Sequence, residues 1–287
     1  MLALVKRNFL LYFRNRSGVI FSLLGALISF ILYIVFLKHN IQTAWSKLPD
    51  TNQLLDAWLI GGTLTITGLT TTFSALSRIV SDREAKVTQD LYVTDLGYWA
   101  LQFSYMISSI VIGFCMQIIM FLIMLCYFIF DDQFTFDWNL VPQLLVITLL
   151  TAILSTIINA IVVNYFKSID SLGKLATVIG AASGFLVGTY IPIGALPTFA
   201  QNIVKAFPFS YTASLFRQVL MKEKVNEAFK GNATMHHDFE KAMGIRLNLD
   251  HLLTMQETYY IVVVVLFAVV LIWFLQNAYM KTKIKTN

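Results

Sequence analysis

The sequence predicts an all-α integral membrane protein, and three observations carry that prediction. Six stretches contain no charged residue: Ser17–Leu37, Ala57–Ser77, Leu96–Phe130, Trp138–Phe166, Leu175–Val204 and Thr258–Met280. Each reaches the roughly 20 apolar residues that a helix needs to cross a bilayer. The stretches are continuously apolar rather than alternating, so they suit helices and not the strands of a barrel. Finally, 57% of residues are hydrophobic and only 13% charged, about half the charged share of a soluble domain. With so few charges, no segment suffices for a sizeable soluble domain. The chain reads as one transmembrane domain over 1–287, with spans at about 17–37, 57–77, 100–129, 139–165, 174–190 and 258–280.

The first 16 residues predict a helix lying in the headgroup plane. Leu2, Val5, Phe9, Tyr12 and Phe13 share one face at helical spacing, Arg7 and Arg14 lie opposite, and Lys6 sits at the edge. This segment does not look like a cleavable signal peptide. Its basic region runs to Arg16, and the apolar run that follows is too long for one.

The charges also predict an orientation. Lys6, Arg7, Arg14 and Arg16 precede span 1; Arg78, Arg83 and Lys86 follow span 2; Lys167 and Lys174 follow span 4; and Lys281, Lys283 and Lys285 follow span 6. The intervening loops carry Lys38 and Lys47 after span 1, and only Asp131, Asp132 and Asp137 after span 3. Six spans with both termini cytoplasmic fit this pattern, because basic residues collect on the inside. The same flanking positions account for the net charge of +5, so nucleic acid is not an expected partner.

Two spans have unusual compositions. Span 2 carries Thr63, Thr65, Thr67, Thr70, Thr71 and Thr72 with Gly61, Gly62 and Gly68. Thr63, Thr67, Thr70 and Thr71 either line a polar translocation path or pack helix against helix. Span 5 repeats glycine at 173, 180, 184 and 188 and reads as a helix-packing face. Charged residues fall in loops or at span ends. This argues against the ion relay of a gradient-driven carrier and against a membrane enzyme. Cys115 and Cys126 share one predicted span about 16 Å apart along the axis, too far to bridge.

Two motifs interrupt the spans. The first, Ser81–Leu96, is dense in charge and predicts a short helix. Ser81 or Asp82 caps it, Asp82 and Glu84 lie at its positive end, and Val87 and Leu91 share a face. Such a helix is suited to docking in a groove of a soluble partner, or is a solvated loop. In the second, three of the five prolines, Pro192, Pro197 and Pro208, follow span 5. Proline lacks an amide donor and disfavours helix before it. The span should therefore end near Tyr190 and continue over 191–256 as short re-entrant helices and an outer region.

Together these residues resemble the membrane-spanning subunit of ABC transporters of the ABC-2 (type V exporter) family. The first motif resembles that family's coupling helix, with Asp82, Arg83, Glu84, Leu91, Thr94 and Leu96 matching; Lys86 stands where glycine is usual and Asp95 where proline is usual. The second resembles its series of Gly188, Pro192, Leu196, Pro197, Pro208, Tyr211 and Arg217. The amphipathic start, with Lys6, Arg7, Phe9, Phe13 and Arg14, resembles its connecting helix. The resemblance implies a permease in a bacterial cell membrane, paired with a second permease and a dimer of ABC ATPase subunits. ATP and Mg would sit on those ATPases, and Asp82, Arg83 and Glu84 would contact them. The cargo would be a drug, an antimicrobial peptide or a lipid, with lipid-linked polysaccharide as the alternative.

The chain carries no P-loop: Gly173-Lys174 is followed by Leu175, and Ser168 stands at the first glycine position. No catalytic residue and no metal site is expected. His236 and His237 are adjacent and on a helix point about 100° apart. Asn232-Ala233-Thr234 matches a glycosylation sequon, which carries no expectation in a bacterial chain.

Overall fold

The computed structural model describes residues 1–39, 43, 51–93 and 97–286. No β-strand occurs among the described residues; a lone bridge pairs Asn248 with Leu252. Helix α1 (Leu2–Arg14) ends at Asn15, whose side chain accepts from the Gly18 amide at 3.1 Å and starts α2 (Arg16–Ser22). α2 meets α3 (Leu24–Leu32) at a 48° bend. Ser22 lies at that bend; its hydroxyl donates to the Val19 carbonyl at 2.7 Å, and side-chain insertion of this kind bends helices. α3 runs on into a π-helical turn, Tyr33–Leu37.

Helix α4 (Thr51–Glu84) is the axle of the bundle: 89% of its most apolar stretch is buried. It packs against α6 (Tyr98–Asp132), α7 (Val141–Val163) and α8 (Ile169–Leu186). α4 outruns its uncharged stretch at both ends because Thr51–Asp56 and Arg78–Glu84 continue the helix. Its threonines are compatible with this. Thr67, Thr71 and Thr72 donate to carbonyls four residues back, so these hydroxyls place their protons within the helix. A short helix α5 (Val87–Val93) follows.

After α8 the chain breaks as the prolines require, but four residues earlier than the sequence suggests. The helix stops at Leu186, and the amides of Thr189 and Tyr190 both return to the Gly184 carbonyl, at 2.8 and 3.0 Å. Gly188 adopts φ +66°, a conformation that costs other residues steric energy. A single turn (Ile193–Ala195) and α9 (Thr198–Ala206) follow. α10 (Pro208–Ala228) corrects the expectation of short re-entrant helices. It is 21 residues long, begins with proline at its first turn, and buries Phe209–Arg217 against α4. No further proline interrupts it. α11 (Ala233–Met243) and α12 (Met255–Thr286) complete the described chain.

Among the described residues five helices are long and apolar enough to cross a membrane, and six if the bent pair of α2 and α3 with its π turn is counted as one span. Met1 and the end of α12 lie at one end of the bundle. The Ser104 hydroxyl reaches the Met1 carbonyl at 3.5 Å, and Tyr98 donates to Asn277 at 2.9 Å. We call this the terminal end. The segment from Gly188 to Thr254 caps the opposite end, where Trp58 of α4 donates to the Met243 carbonyl at 2.6 Å.

Candidate functional site

At the terminal end, Asp82 is fully buried. Its carboxylate takes a two-pronged contact from Arg7 of α1 at 2.7 and 2.9 Å, one from Arg78 at 2.7 Å, and the Tyr105 hydroxyl of α6 at 2.7 Å. The hydrogen bonds to Asp82 hold the Arg7 guanidinium above its ordinary pKa, so it stays charged. This corrects the sequence reading of α1, which set Arg7 on the outward face. α1 buries Leu4 and Asn8 against α6, and Arg7, a neighbour of both on the helix surface, turns inward to the buried carboxylate. Leu2, assigned to the apolar face, is 82% exposed. Phe9 and Phe13 pack with Tyr12 against Leu23, Ile112 and Met116, while Lys6 and Arg14 are exposed.

Arg83 is half-buried and Glu84 exposed, yet both bond the backbone between α7 and α8. Arg83 donates to the Phe166 carbonyl at 3.2 Å, and the Glu84 carboxylate accepts from the Ile169 amide at 3.1 Å, at the first turn of α8. Val87 is half-buried, and Leu91 packs against the cluster containing Leu76 and Leu101. Lys86, Gln89 and Asp90 face solvent. Thr94 and Leu96 lie outside the described residues. Lys86 has φ +61°, so a left-handed position is needed where the resemblance leads one to expect glycine.

Between α2–α3, α4 and α8 lies a cavity of about 490 Å³, lined by Gly25, Ile28, Thr70, Phe73, Leu172 and Thr177 among others. Of the four threonines proposed for a path, Thr70 alone lines it. Thr63, Thr67 and Thr71 are fully buried within the bundle. α8 is the thin wall of this cavity: only 17% of its span is buried, and Val178 and Phe185 are exposed.

At the opposite end Arg217 of α10 is 2% exposed. It donates to the carbonyls of Trp58 at 3.4 Å, Gly188 at 3.0 Å and Gly244 at 3.4 Å, and its guanidinium lies 4.8 Å from the Trp58 ring centroid. One side chain thus fastens α4, the α8 exit and the α11 exit. Tyr211 donates to the Lys205 carbonyl at 2.8 Å, pinning α9 to α10. Pro192 caps the turn at Ile193, Leu196 packs on the core, and Pro197 and Pro208 precede and open α9 and α10.

The pattern of the family described as ABC-2 type transporter matches residues 1–221. The chain belongs to that family. This ABC-2 protein is therefore a multi-pass membrane component of a transporter. Searches of curated proteins and of solved structures find no match. The family match covers the cavity helices and Arg217, and it ends inside α10.

The sequence missed one cluster in this ABC-2 protein. Lys38, just past the π turn, lies against Asp132, 3.4 Å from Asp131 and 3.8 Å from the fully buried Asp56, which also accepts from Tyr33 at 2.9 Å. These residues join α3, α4 and α6 at the opposite end. The only signal was an aspartate directly before an uncharged run.

Proposed function

We propose that this chain is the permease half of an ATP-driven exporter. It would move a hydrophobic or amphipathic cargo, such as a drug, an antimicrobial peptide or a lipid, across a bacterial membrane. The observation that carries this reading is the 490 Å³ cavity, whose lining is mostly apolar and whose α8 wall is largely unburied. An apolar pocket suits an apolar ligand. An uncovered α8 suits either lipid or a second permease, and a seam between two copies would place the cavity beside the path. The terminal end faces the cytoplasm in this reading, since its basic residues obey the inside bias.

The partner would be a dimer of separate ATPase subunits, where ATP and Mg bind. The docking surface is the exposed side of the charged loop, Lys86, Gln89 and Asp90. α1 acts as the connecting helix and α5 as the coupling helix. Closure of the ATPase dimer would push on both and shift the bundle between two arrangements.

The test is purification of the chain with its co-purifying ATPase, reconstituted in lipid, and assayed for ATP hydrolysis across a panel of lipophilic dyes, cationic peptides and lipids. Stimulation by at least one class is expected. Transport by the chain alone under an ion gradient would overturn the reading.

A further inference from the structure

We propose that a second cavity, between α9 and α11, binds a glycerophospholipid headgroup that carries both a phosphate diester and a primary ammonium. This cavity measures about 420 Å³ and is lined by Gln201 and Lys205 of α9, Asp238 and Lys241 of α11, and Asn248. It belongs to the segment that caps the bundle opposite the termini, and it shares no lining residue with the 490 Å³ cavity. Its walls are fixed before any ligand arrives. The turn Ile193–Ala195 packs directly on α11, where a Cβ at Gly194 would come 2.6 Å from the Ala242 Cα. α9 is held from α10 by Tyr211, which donates to the Lys205 carbonyl at 2.8 Å, and by Ser210, which donates to the Val204 carbonyl at 2.7 Å.

The charges lining it define the ligand. Arg246, just after α11, is committed to Glu240 at 3.3 Å and to the carbonyls of Leu252 and Leu253 at 2.7 and 2.8 Å. Among the described residues the Lys205 and Lys241 ammoniums have no such ion pair. Two ammoniums suit the single charge of a phosphate diester, through charge-assisted hydrogen bonds. The exposed Asp238 carboxylate then suits the ammonium at the far end of the same headgroup; its neighbour in the protein is His237, at 3.8 Å. α9 supplies the reason for a lipid rather than a soluble phosphate. Val204 is buried in the core, Gln201 and Lys205 lie one turn apart on the cavity side, and Phe199 and Ile203, also one turn apart, are 76% and 42% exposed. α9 packs against α8 where that span ends, so its apolar side falls at headgroup level, as in a helix lying in the interface. Acyl chains beside Phe199 and Ile203 would leave the attached headgroup within a helix diameter of the cavity, about 10 Å. In the proposed orientation this is the outer leaflet.

The test uses the full chain in a mild detergent, stripped of lipid and titrated with phosphatidylethanolamine, phosphatidylglycerol and phosphatidylcholine of identical chains. Bound lipid is counted by native mass spectrometry. Phosphatidylethanolamine should bind about threefold tighter than the other two, because it alone offers a phosphate to the lysines and an N–H donor to Asp238. Lys205→Gln with Lys241→Gln should weaken it about tenfold, two cations near the membrane surface having been removed. Lys167→Gln with Lys174→Gln, the same loss of charge at the terminal end, should change nothing. Asp238→Asn should bring phosphatidylethanolamine down to the level of phosphatidylglycerol. Added phosphatidylethanolamine should also raise the thermal unfolding midpoint of the unsubstituted chain, and not that of the Lys205 and Lys241 double variant. Glycerophosphoethanolamine, the same headgroup without chains, should compete only at about hundredfold higher concentration, since it buries no acyl chain.

Equal retention of the three lipids overturns the proposal. So does phosphatidylethanolamine binding that survives the Lys205 and Lys241 double variant, or that falls equally in the terminal-end variant. A preference for phosphatidylethanolamine that survives Asp238→Asn overturns the pairing of ammonium with carboxylate. Competition by glycerophosphoethanolamine at equal concentration marks a soluble ligand and overturns the assignment to lipid. None of these readings needs the ATPase, so the headgroup site stands or falls apart from the exporter reading.

Discussion

Arg217 shows how much one side chain can hold. Among the described residues no carboxylate pairs with its guanidinium, which instead serves three carbonyls from three segments. The planar fork suits that task and an ammonium does not. Arg217→Lys is expected to lower stability by about 2–3 kcal/mol, because buried carbonyls lose charged donors. Arg217→Met should cost at least as much, both read as thermal unfolding in detergent. Asp82 is the mirror case: a buried anion between two arginines and a tyrosine. Asp82→Asn keeps the shape but leaves two cations facing a neutral group. It should cost about 3 kcal/mol, as breaking a buried pair does. Lys86 is strained at φ +61°. Lys86→Gly should raise the unfolding midpoint, by about 1 kcal/mol in stability, since glycine alone adopts this conformation freely.

Among the elements, the break after α8 is the clearest case of sequence setting structure. Three prolines and a glycine forbid a continuous helix through Gly188–Pro208, and the chain duly folds back. The exact stop was not legible, because it depends on how the chain folds back on its own last turn. A Cβ at Gly184 would meet the Tyr190 ring at 2.2 Å, so the ring closes over the last turn only where a side chain is missing. Gly184→Val should displace Tyr190 and lower the unfolding midpoint, while Gly188→Ala should cost about 1 kcal/mol from its positive φ. The spans themselves were legible because bilayer length and apolar composition are local properties. The inward turn of Arg7 and the bonds that Arg83 and Glu84 make to the α7–α8 connection were not. Their partners, Asp82, Phe166 and Ile169, lie about 75 to 85 residues away in sequence, and a helical wheel sees only near neighbours.

At the scale of the whole molecule, two features await a membrane and a second copy. The proposed orientation puts Lys281 inside and Asn232 outside. Asn232→Cys should react with an impermeant maleimide on intact cells, and Lys281→Cys only after the membrane is opened; the reverse pattern would invert the topology. α8 exposes Val178, which is 61% accessible. If two copies meet there, Val178→Cys should yield a covalent dimer under mild oxidation, and Val270→Cys on α12 should not. Equal cross-linking at both positions would argue for random encounters rather than a specific seam.

The sequence by itself determined the class, the number of apolar runs, the proline break and the two charged motifs, because each is written in composition or spacing over a few turns of helix. Which of the span 2 threonines line space, which charges are buried, and what the charged loop holds were decided only by tertiary structure. Thr63, Thr67 and Thr71 face neighbouring helices while Thr70 faces a cavity, a difference of rotation about one axis. Asp82 and Asp56 sit at span ends, where a sequence places charges in water, yet packing from α1, α3 and α6 closes over both. Burial and partnership are properties of the assembled bundle, and no local pattern encodes them.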